Sequence, residues 1–296
     1  MPHCPSWLQP LQRLLSAPMS HLALTPHADM LWLATADDVI CGNKPWKLWG
    51  HLQQLTSPPV RLLSFGGPHS NHLHALAGCG RLLGIETMAV VRGYAECALT
   101  PTLQDCQQLG MRLVFADKKT YRQRHDSNYL AHLQQQYQAI VIPEGGGGEA
   151  GRLGCEALGC EALAPYVEGY DQVWLAVGTG TTAEGLAQAL PASTELMAVN
   201  VVADQGELKR RWQQSMPGRW RLLEDFHGGG FGRISDALRQ LIARYDAKGI
   251  ALDPVYTAKM MQAFEACNEP GKRALLLHTG GLQGRRGAGL SLPSAG

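Results

Sequence analysis

The chain has 296 residues, of which 45% are hydrophobic and 17% are charged, a composition typical of a folded globular protein. Its length is enough for about two domains of 100–150 residues. The 26 lysines and arginines nearly balance the 25 aspartates and glutamates, and the net charge of +1 provides no broad basic field for nucleic acid or an anionic membrane.

Local features of the sequence predict a cytoplasmic chain without a metal site. No apolar run approaches the roughly 20 residues that a membrane-spanning helix needs, so we expect no membrane partner. The N-terminal residues lack the basic start and the apolar stretch of a secretory signal, which predicts a cytosolic location. The eight cysteines show no C-x-x-C spacing, so we expect reduced thiols and no bound metal.

Short apolar runs with strand character alternate along the chain with segments of helical periodicity. The predicted strands are Val60–Phe65, Met88–Arg92, Arg112–Phe115, Ala139–Ile142, Gln172–Val177, Leu196–Val202 and Ala274–His278. Because nearly every position in these runs is apolar, both faces of each strand should be buried, as in a parallel sheet covered by helices. The sequence therefore predicts an α/β fold.

The first of three unusual segments is Cys41–Trp49. Proline is favoured at the first position of a helix, so Pro45 predicts a helix that runs to about Leu55, with Lys44 at its cap and Lys47 in its first turn. Two cations at this end oppose the helix dipole, at a cost of about 0.3–1 kcal/mol each unless an anion neutralises them. The pair indicates either an anion-binding site or two solvated lysines.

The second segment, Ser64–His72, follows the predicted strand Val60–Phe65 and precedes a helical pattern over Leu73–Leu83. Its glycines allow a ligand to approach the backbone closely. Ser70 and Asn71 are suited either to capping the helix or to hydrogen bonding a ligand at its N-terminus.

The third segment, Val177–Gly185, follows the predicted strand Gln172–Val177 and opens another helix. Its glycines and hydroxyl residues are Gly178, Thr179, Gly180, Thr181 and Thr182. Successive backbone N–H groups, hydroxyl groups and a helix dipole form a cradle suited to a phosphate. The segment lacks the last glycine of a dinucleotide-binding loop and the Gly-Lys-Ser/Thr of a P-loop, although a nucleotide-binding module remains an alternative.

Six segments of the chain stand out when they are taken in order. They are Gly42-Asn43-Lys44-x-x-Lys47-Leu48, Gly66-Gly67-x-x-Ser70-Asn71-His72, Pro143-Glu144-Gly145-Gly146, Thr179-Gly180-Thr181-Thr182, Asp253-Pro254-Val255-Tyr256-Thr257-x-Lys259 and His278-Thr279-Gly280-Gly281. This set resembles pyridoxal-phosphate-dependent enzymes of fold type II, the tryptophan synthase β-like group. Within that group it is similar to the D-cysteine desulfhydrase and 1-aminocyclopropane-1-carboxylate deaminase family.

The resemblance implies a role for each cofactor-binding residue. Lys44 matches the lysine that binds pyridoxal 5'-phosphate covalently, and Lys47 matches a lysine that contacts the phosphate. The phosphate loop corresponds to residues 178–182. Asn71 matches the residue that hydrogen bonds the ring hydroxyl, and Thr257 stands where the family places the partner of the pyridine nitrogen.

The resemblance also implies how a small amino-acid substrate is bound. Ser70, with the adjacent N–H groups of Asn71 and His72, matches the site of the substrate carboxylate. Lys44 would be the general base that takes the α-proton. Lys44, Ser70 and Tyr256 are the candidate catalytic residues, and Tyr256 is included because it lies beside Thr257, where it could touch the substrate or the cofactor ring.

Two residues bear on the choice of reaction. A neutral hydroxyl at Thr257 would leave the pyridine nitrogen unprotonated, so the ring would be a weaker electron sink, suited to prompt loss of a good leaving group. Phe231 stands where the family usually has a tyrosine, which counts against opening of a cyclopropane ring. We therefore expect α,β-elimination from D-cysteine, with the cyclopropane deaminase and a catalytically silent cofactor-binding protein as alternatives.

The resemblance implies two domains, each with a mainly parallel sheet flanked by helices. A large cofactor-binding domain would combine residues 1–44 and 161–296, and residues 45–160 would form the smaller domain. A homodimer is expected, with no nucleic-acid partner.

Overall fold

The computed structural model describes residues 4–33, 37–230 and 232–293. These residues form two compact units. The first unit contains the described residues of Met1–Ala17 and Thr35–Gly154, and the second contains those of Pro18–Ala34 and Cys155–Gly296. The borders predicted from the sequence, at 44/45 and 160/161, group all of residues 1–44 with the C-terminal part of the chain. In the structure, only the described residues of Pro18–Ala34 join that part.

Strands account for ten segments of the described residues. They are β1 (Ser20–Thr25), β2 (Ala28–Trp32), β3 (Arg61–Gly66), β4 (Glu86–Arg92), β5 (Arg112–Ala116), β6 (Ala139–Ile142), β7 (Gln172–Val177), β8 (Glu195–Asn200), β9 (Arg219–Leu223) and β10 (Ala274–His278). All seven predicted strands are present, with ends that differ by no more than two residues. Strands β1, β2 and β9 were not predicted.

Helices connect most of these strands. They are α1 (Gln9–Leu15), α2 (Lys44–Leu52), α3 (Asn71–Leu83), α4 (Pro101–Gln108), α5 (Lys118–Arg122), α6 (Ser127–Tyr137), α7 (Gly148–Ala157), α8 (Ala164–Val167), α9 (Thr181–Ala189), α10 (Glu207–Ser215), α11 (Asp236–Asp246), α12 (Thr257–Cys267) and α13 (Gly284–Gly287). Within the described ranges, none of them combines the length and the apolar character required to cross a membrane.

The first unit is built on a four-stranded sheet in the order β5-β4-β3-β6. All neighbouring strands are parallel, and Leu63 of β3 lies opposite Met88 of β4. Leu63, Phe65, Met88 and Val90 are buried in its core. The strands therefore end at one edge of the sheet, where the loop after β3 begins α3.

The second unit contains a six-stranded sheet in the order β1-β2-β10-β7-β8-β9. Strand β1 is antiparallel to β2, and the other neighbours are parallel. Trp174 of β7 packs edge-on against Phe264 of α12, with ring centroids 5.3 Å apart. The prediction of an α/β fold with mainly parallel sheets flanked by helices is confirmed.

Helices α2 and α7 cross in the first unit with their backbones in direct contact. A Cβ atom added to Gly50 would lie 2.0 Å from the carbonyl oxygen of Ala150. A Cβ atom added to Gly154 would lie 2.1 Å from the carbonyl oxygen of Trp46. Since no side chain fits at this distance, glycine at both positions sets the depth at which α2 docks.

The crossing predicts that Gly154→Ala destabilises the protein. The gain in helix propensity is about 1 kcal/mol, but the methyl group would push against backbone that cannot move independently. We expect a net loss of about 1–3 kcal/mol in the free energy of unfolding, measured by urea titration. Gly67→Ala is the control, because only the flexible end of Arg92, at 3.6 Å, lies near the added atom. Equal stability of the two variants would contradict the prediction.

Candidate active site

Lys44 is the first residue of α2. The helix follows Asn43 and ends at Leu52. The predicted end near Leu55 is wrong because the chain turns there, with the N–H of Leu55 donating to the carbonyl of Leu52. The Lys44 ammonium group donates a hydrogen bond of 2.7 Å to the side-chain oxygen of Asn43. The Lys44 amine is thereby held at the positive end of the helix dipole.

Lys47, in the next position along the same helix face, has only 4% of its surface exposed. Its ammonium group donates to the carbonyl oxygen of Gly145 at 3.1 Å. A Cβ atom on Gly146 would lie 3.1 Å from the Cβ atom of Lys47. Farther along α2, the Nε2 atom of His51 lies 3.1 Å from the carbonyl oxygen of Gly147. Helix α2 therefore packs against residues 145–148, the glycine-rich run, where the absence of side chains permits close approach.

The loop between β3 and α3 contains the predicted carboxylate-binding group. Ser70 lies immediately before α3, and its Oγ accepts a hydrogen bond of 3.3 Å from the backbone N–H of Leu73. The capping interpretation of this serine is confirmed. The first N–H groups of a helix have no acceptors within the helix, so those of Asn71 and His72 lie where helices bind anions.

The His72 side chain points into the interior, with 2% of the residue exposed. The Ser64 hydroxyl group donates to the carbonyl of Ile142 at 2.7 Å, so it accepts a hydrogen bond from His72 Nε2 at 2.8 Å. Burial, followed by the positive charges of Lys47 and Lys44, holds the pKa of His72 well below its usual value. The imidazole is therefore a neutral structural group, and only the backbone N–H of His72 is suited to the predicted carboxylate contact.

Glu144, in the Pro-Glu-Gly-Gly segment, is held by two side chains of the first unit. The Tyr121 hydroxyl group donates to one carboxylate oxygen at 2.7 Å, and Arg124 Nε donates to the other at 2.6 Å. The Arg124 guanidinium also lies over the Tyr121 ring, 4.9 Å from its centroid. Glu144 therefore anchors the start of the glycine-rich run on which α2 rests.

In the second unit, β7 leads through a tight turn into α9. Gly180 immediately precedes the helix with a φ of +86°, a left-handed conformation that favours glycine. A Cβ atom there would lie 2.6 Å from the Leu208 side chain. The hydroxyl oxygens of Thr179 and Thr181 are 3.1 Å apart, and Thr181 and Thr182 are buried. The predicted strand-turn-helix geometry of the phosphate cradle is present.

A positive side chain beside this turn was not predicted from the sequence. Arg211 of α10 donates hydrogen bonds of 2.6 Å to the carbonyl oxygen of Thr179 and to the carboxylate of Glu184. Trp212 donates to the same Glu184 oxygen at 2.8 Å. These contacts offset the negative charge of Glu184 near the cradle. None of the six sequence segments contains Arg211, and it reaches the turn only because α10 packs beside α9.

Tyr256 lies next to the same turn. A Cβ atom on Gly178 would be 3.4 Å from the edge of the Tyr256 ring and 3.5 Å from its hydroxyl oxygen. The buried Asp253 carboxylate accepts hydrogen bonds from the backbone N–H groups of Val255 and Tyr256, and so shapes the turn before α12. The structure thus brings Tyr256 and the predicted phosphate loop together.

Thr257 is the first residue of α12 and has 1% of its surface exposed. Its hydroxyl oxygen is buried and has no hydrogen-bond partner among the residues that the structure describes. A buried hydroxyl group without a partner costs about 1–3 kcal/mol. This atom therefore fits a site where a ligand supplies the missing hydrogen bond.

His278, at the end of β10, has a structural environment. Its Nε2 atom lies 3.0 Å from the carbonyl oxygen of Ala251, and its Nδ1 atom accepts from the N–H of Gly280 at 3.2 Å. The ring stacks on Trp32 at a centroid distance of 3.8 Å. Burial lowers the pKa of His278 to about 4, so it is neutral at physiological pH. Phe231, the other position singled out from the sequence, lies outside the described residues.

Comparison with known proteins gives a family and a fold. The family model described as "Pyridoxal-phosphate dependent enzyme" matches residues 61–280. A Pyrococcus horikoshii protein that carries the provisional name 1-aminocyclopropane-1-carboxylate deaminase is 28% identical over 269 residues, 83% of this chain and 81% of its own length. A D-cysteine desulfhydrase from Salmonella paratyphi B is 28% identical over 253 residues, 74% of this chain and 76% of its own.

Two solved structures have the same fold. A crystal structure of an ACC deaminase homologue matches with a TM-score of 0.76 at 23% identity, covering 96% of this chain and 97% of that one. The processed form of threonine deaminase isoform 2 from Solanum lycopersicum matches with a TM-score of 0.61 at 14% identity, covering 93% of this chain and 84% of that one. The expected fold type II architecture is therefore confirmed.

The residues present fit pyridoxal phosphate, the cofactor of the matching family. The turn before α9 offers backbone N–H groups to a phosphate, and it leaves no room for a side chain at Gly180, whose Cβ atom would lie 2.6 Å from Leu208. The unpartnered hydroxyl group of Thr257 suits a ring nitrogen that accepts a hydrogen bond. Lys44 supplies an amine at a helix start.

The cradle predicts that Gly180→Ala weakens binding of pyridoxal phosphate at least tenfold, about 1.4 kcal/mol, in a titration of the apoprotein. The added methyl group would collide with Leu208 and displace the turn. Gly206→Ala is the matched control, because Gly206 also precedes a helix with positive φ, of +76°, and its nearest neighbour would lie 3.4 Å away. Unchanged affinity in Gly180→Ala would place the phosphate elsewhere.

Proposed function

Since the chain belongs to the family of pyridoxal-phosphate dependent enzymes, we propose that it catalyses α,β-elimination on a small amino acid. D-cysteine is the first candidate substrate, and pyruvate, ammonia and sulfide are the products. The proposal includes the homodimer and the cytosolic location expected from the sequence. The single observation that carries the choice of reaction is the buried, unpartnered hydroxyl group of Thr257.

Thr257 favours elimination because it is neutral. When bound, pyridoxal phosphate withdraws electrons from the substrate carbon that loses its proton, most strongly if its ring nitrogen is protonated. A hydroxyl group donates a hydrogen bond to that nitrogen without transferring a proton. Loss of a good leaving group such as a thiolate needs less stabilisation than a long-lived carbanion, so this site suits D-cysteine.

Lys44 is proposed to take the α-proton of the substrate. Its amine lies at the start of α2, where Asn43 accepts a hydrogen bond from it. The docking of α2 on the glycine-rich run, including the contact of Lys47 with Gly145, fixes the direction of the helix that holds the base. Lys47 and the turn of residues 178–182 are proposed to bind the cofactor phosphate, and Asn71 its ring hydroxyl.

The substrate carboxylate is proposed to bind at the start of α3. Ser70 and the backbone N–H groups of Asn71 and His72 would donate to it, supported by the helix dipole. The Tyr256 hydroxyl group, which lies near Gly178, is proposed to contact the substrate or the cofactor ring. Each of these groups binds or orients, and Lys44 moves the proton.

Ring-opening deamination of 1-aminocyclopropane-1-carboxylate is the second candidate. The relatives at 28% identity are named for both reactions, which supports keeping it. Phe231 argues against it, because a phenylalanine offers neither an acid nor a nucleophile to the strained ring. A cofactor-binding protein without catalysis is the third candidate, and product formation from either substrate would exclude it.

The assignment of the two lysines predicts different losses on substitution. Borohydride reduction should fix the cofactor to Lys44 in the unmodified protein, and Lys44→Ala should abolish both this fixation and catalysis. Lys47→Met keeps the buried stem and should still allow fixation while weakening cofactor retention. Peptide mass spectrometry identifies the modified lysine. Cofactor found on any other lysine would show that the assignment is wrong.

The choice of reaction is tested with paired substrates. We expect pyruvate and sulfide from D-cysteine, pyruvate from β-chloro-D-alanine, and little 2-oxobutanoate from 1-aminocyclopropane-1-carboxylate. Loss of one well-placed acid or base costs about 10²–10⁴-fold in rate, so Phe231→Tyr should raise 2-oxobutanoate formation. Phe231→Leu, which also lacks a hydroxyl group, should not. Ready formation of 2-oxobutanoate by the unmodified protein, with no product from either elimination substrate, would overturn the proposal.

A further inference from the structure

Lys259 is a buried lysine of α12 for which the proposed function has no role. Only 1% of its surface is exposed. Its ammonium group donates a hydrogen bond of 2.7 Å to the carbonyl oxygen of His227 and another of 3.1 Å to that of Gly230. Both acceptors belong to residues 227–230, which we call the glycine-rich loop. Two hydrogen bonds to backbone carbonyl oxygens thus connect the Lys259 ammonium group, near the start of α12, to a loop that is distant in the sequence.

Three of the four residues of the glycine-rich loop have no side chain that could fix its shape by packing. Gly228, Gly229 and Gly230 all have positive φ, of 63°, 88° and 128°. Glycines have no side chains to pack and lose the most conformational freedom on folding. Within the loop, the N–H of Gly230 donates to the carbonyl of His227 at 3.1 Å, and the N–H of Gly229 donates to the His227 ring at 3.0 Å.

The charge of Lys259 also interacts with the negative charge of Asp253. Burial lowers the pKa of Lys259, and the negative charge of Asp253 raises it. Asp253 is itself fully buried and orders the turn through the N–H groups of Val255 and Tyr256. Because a lysine is rarely buried without such partners, the arrangement points to a positioning role for the ammonium group.

We propose that Lys259 is a built-in cation that holds the glycine-rich loop against α12, two residues beyond Thr257. The hydrogen bonds of its ammonium group fix the loop in place, which the three glycines, having no side chains, cannot do by packing. The Lys259 contacts alone support its effect on the loop. We also expect a loosened loop to weaken cofactor binding through α12, and this expectation rests on the role proposed for Thr257. The residue touches no reacting atom and acts through the position of the backbone.

A built-in cation is replaceable by a free one. Backbone carbonyl oxygens bind small monovalent cations such as K⁺, and ammonium carries the same donor group as the lysine side chain. Lys259→Ala would open space beside the carbonyls of His227 and Gly230. Lys259→Met would fill that space with a neutral chain of similar length. The two variants therefore separate the charge of Lys259 from its volume.

The test measures hydrogen exchange of the glycine-rich loop in the cofactor-loaded protein. We expect exchange to rise about tenfold or more in both Lys259→Ala and Lys259→Met. Added ammonium chloride should restore protection in Lys259→Ala only, with sodium chloride as the salt control. Lys248→Ala, which removes an exposed lysine of the same unit, should leave the loop unchanged.

The outcomes separate this inference from the proposed function. Unchanged exchange in Lys259→Met, or loosening of Lys259→Ala that ammonium does not reverse, would overturn the built-in cation. Loosening that ammonium reverses supports it. Cofactor affinity is measured in the same samples: a parallel loss and recovery supports the link to Thr257, whereas constant affinity would refute that link and leave the Lys259 inference intact.

Discussion

Strands of a parallel sheet all end at the same edge, and this constraint determines where both units place their polar loops. In the first unit β3 leads into the turn capped by Ser70, and in the second β7 leads into the turn at Gly180. Both turns begin a helix, so each sheet edge presents backbone N–H groups and the positive end of a helix dipole. The same local device thus occurs twice, suited to a carboxylate in one unit and to a phosphate in the other.

The two units share a second device, a buried lysine whose ammonium group is bound by backbone carbonyls of a glycine-rich run. Lys47 donates to Gly145 in the first unit, and Lys259 donates to His227 and Gly230 in the second. In both cases the lysine lies in the first turn of a helix, where the dipole opposes its charge. The carbonyl groups offset that cost, and the helix start becomes attached to a segment that has few side chains of its own to pack.

The sequence predicts the interior of the fold better than its margins. Strands that are apolar throughout were found, whereas β1, β2 and β9 were missed. Strand β1 is largely exposed, β2 carries Asp29, which accepts a hydrogen bond from Tyr170, and β9 is a partly exposed edge strand. The motifs located the starts of α2 and α3 and the turn at Gly180. They did not indicate the hydrogen bond between His72 and Ser64 or the approach of Arg211 to the turn. Such contacts depend on the packing of distant segments, which has no local signature.

The turn at Gly180 has a consequence for how proteins of this kind diverge. Many of the phosphate-binding groups proposed for this turn belong to the main chain, so most substitutions around it would leave them in place as long as the glycine stays. Cofactor binding can therefore survive extensive sequence drift. In the proposed function, in contrast, the choice of reaction depends on a few side chains, such as those of residues 231 and 257. A lineage that keeps its backbone geometry can acquire a new substrate through very few mutations.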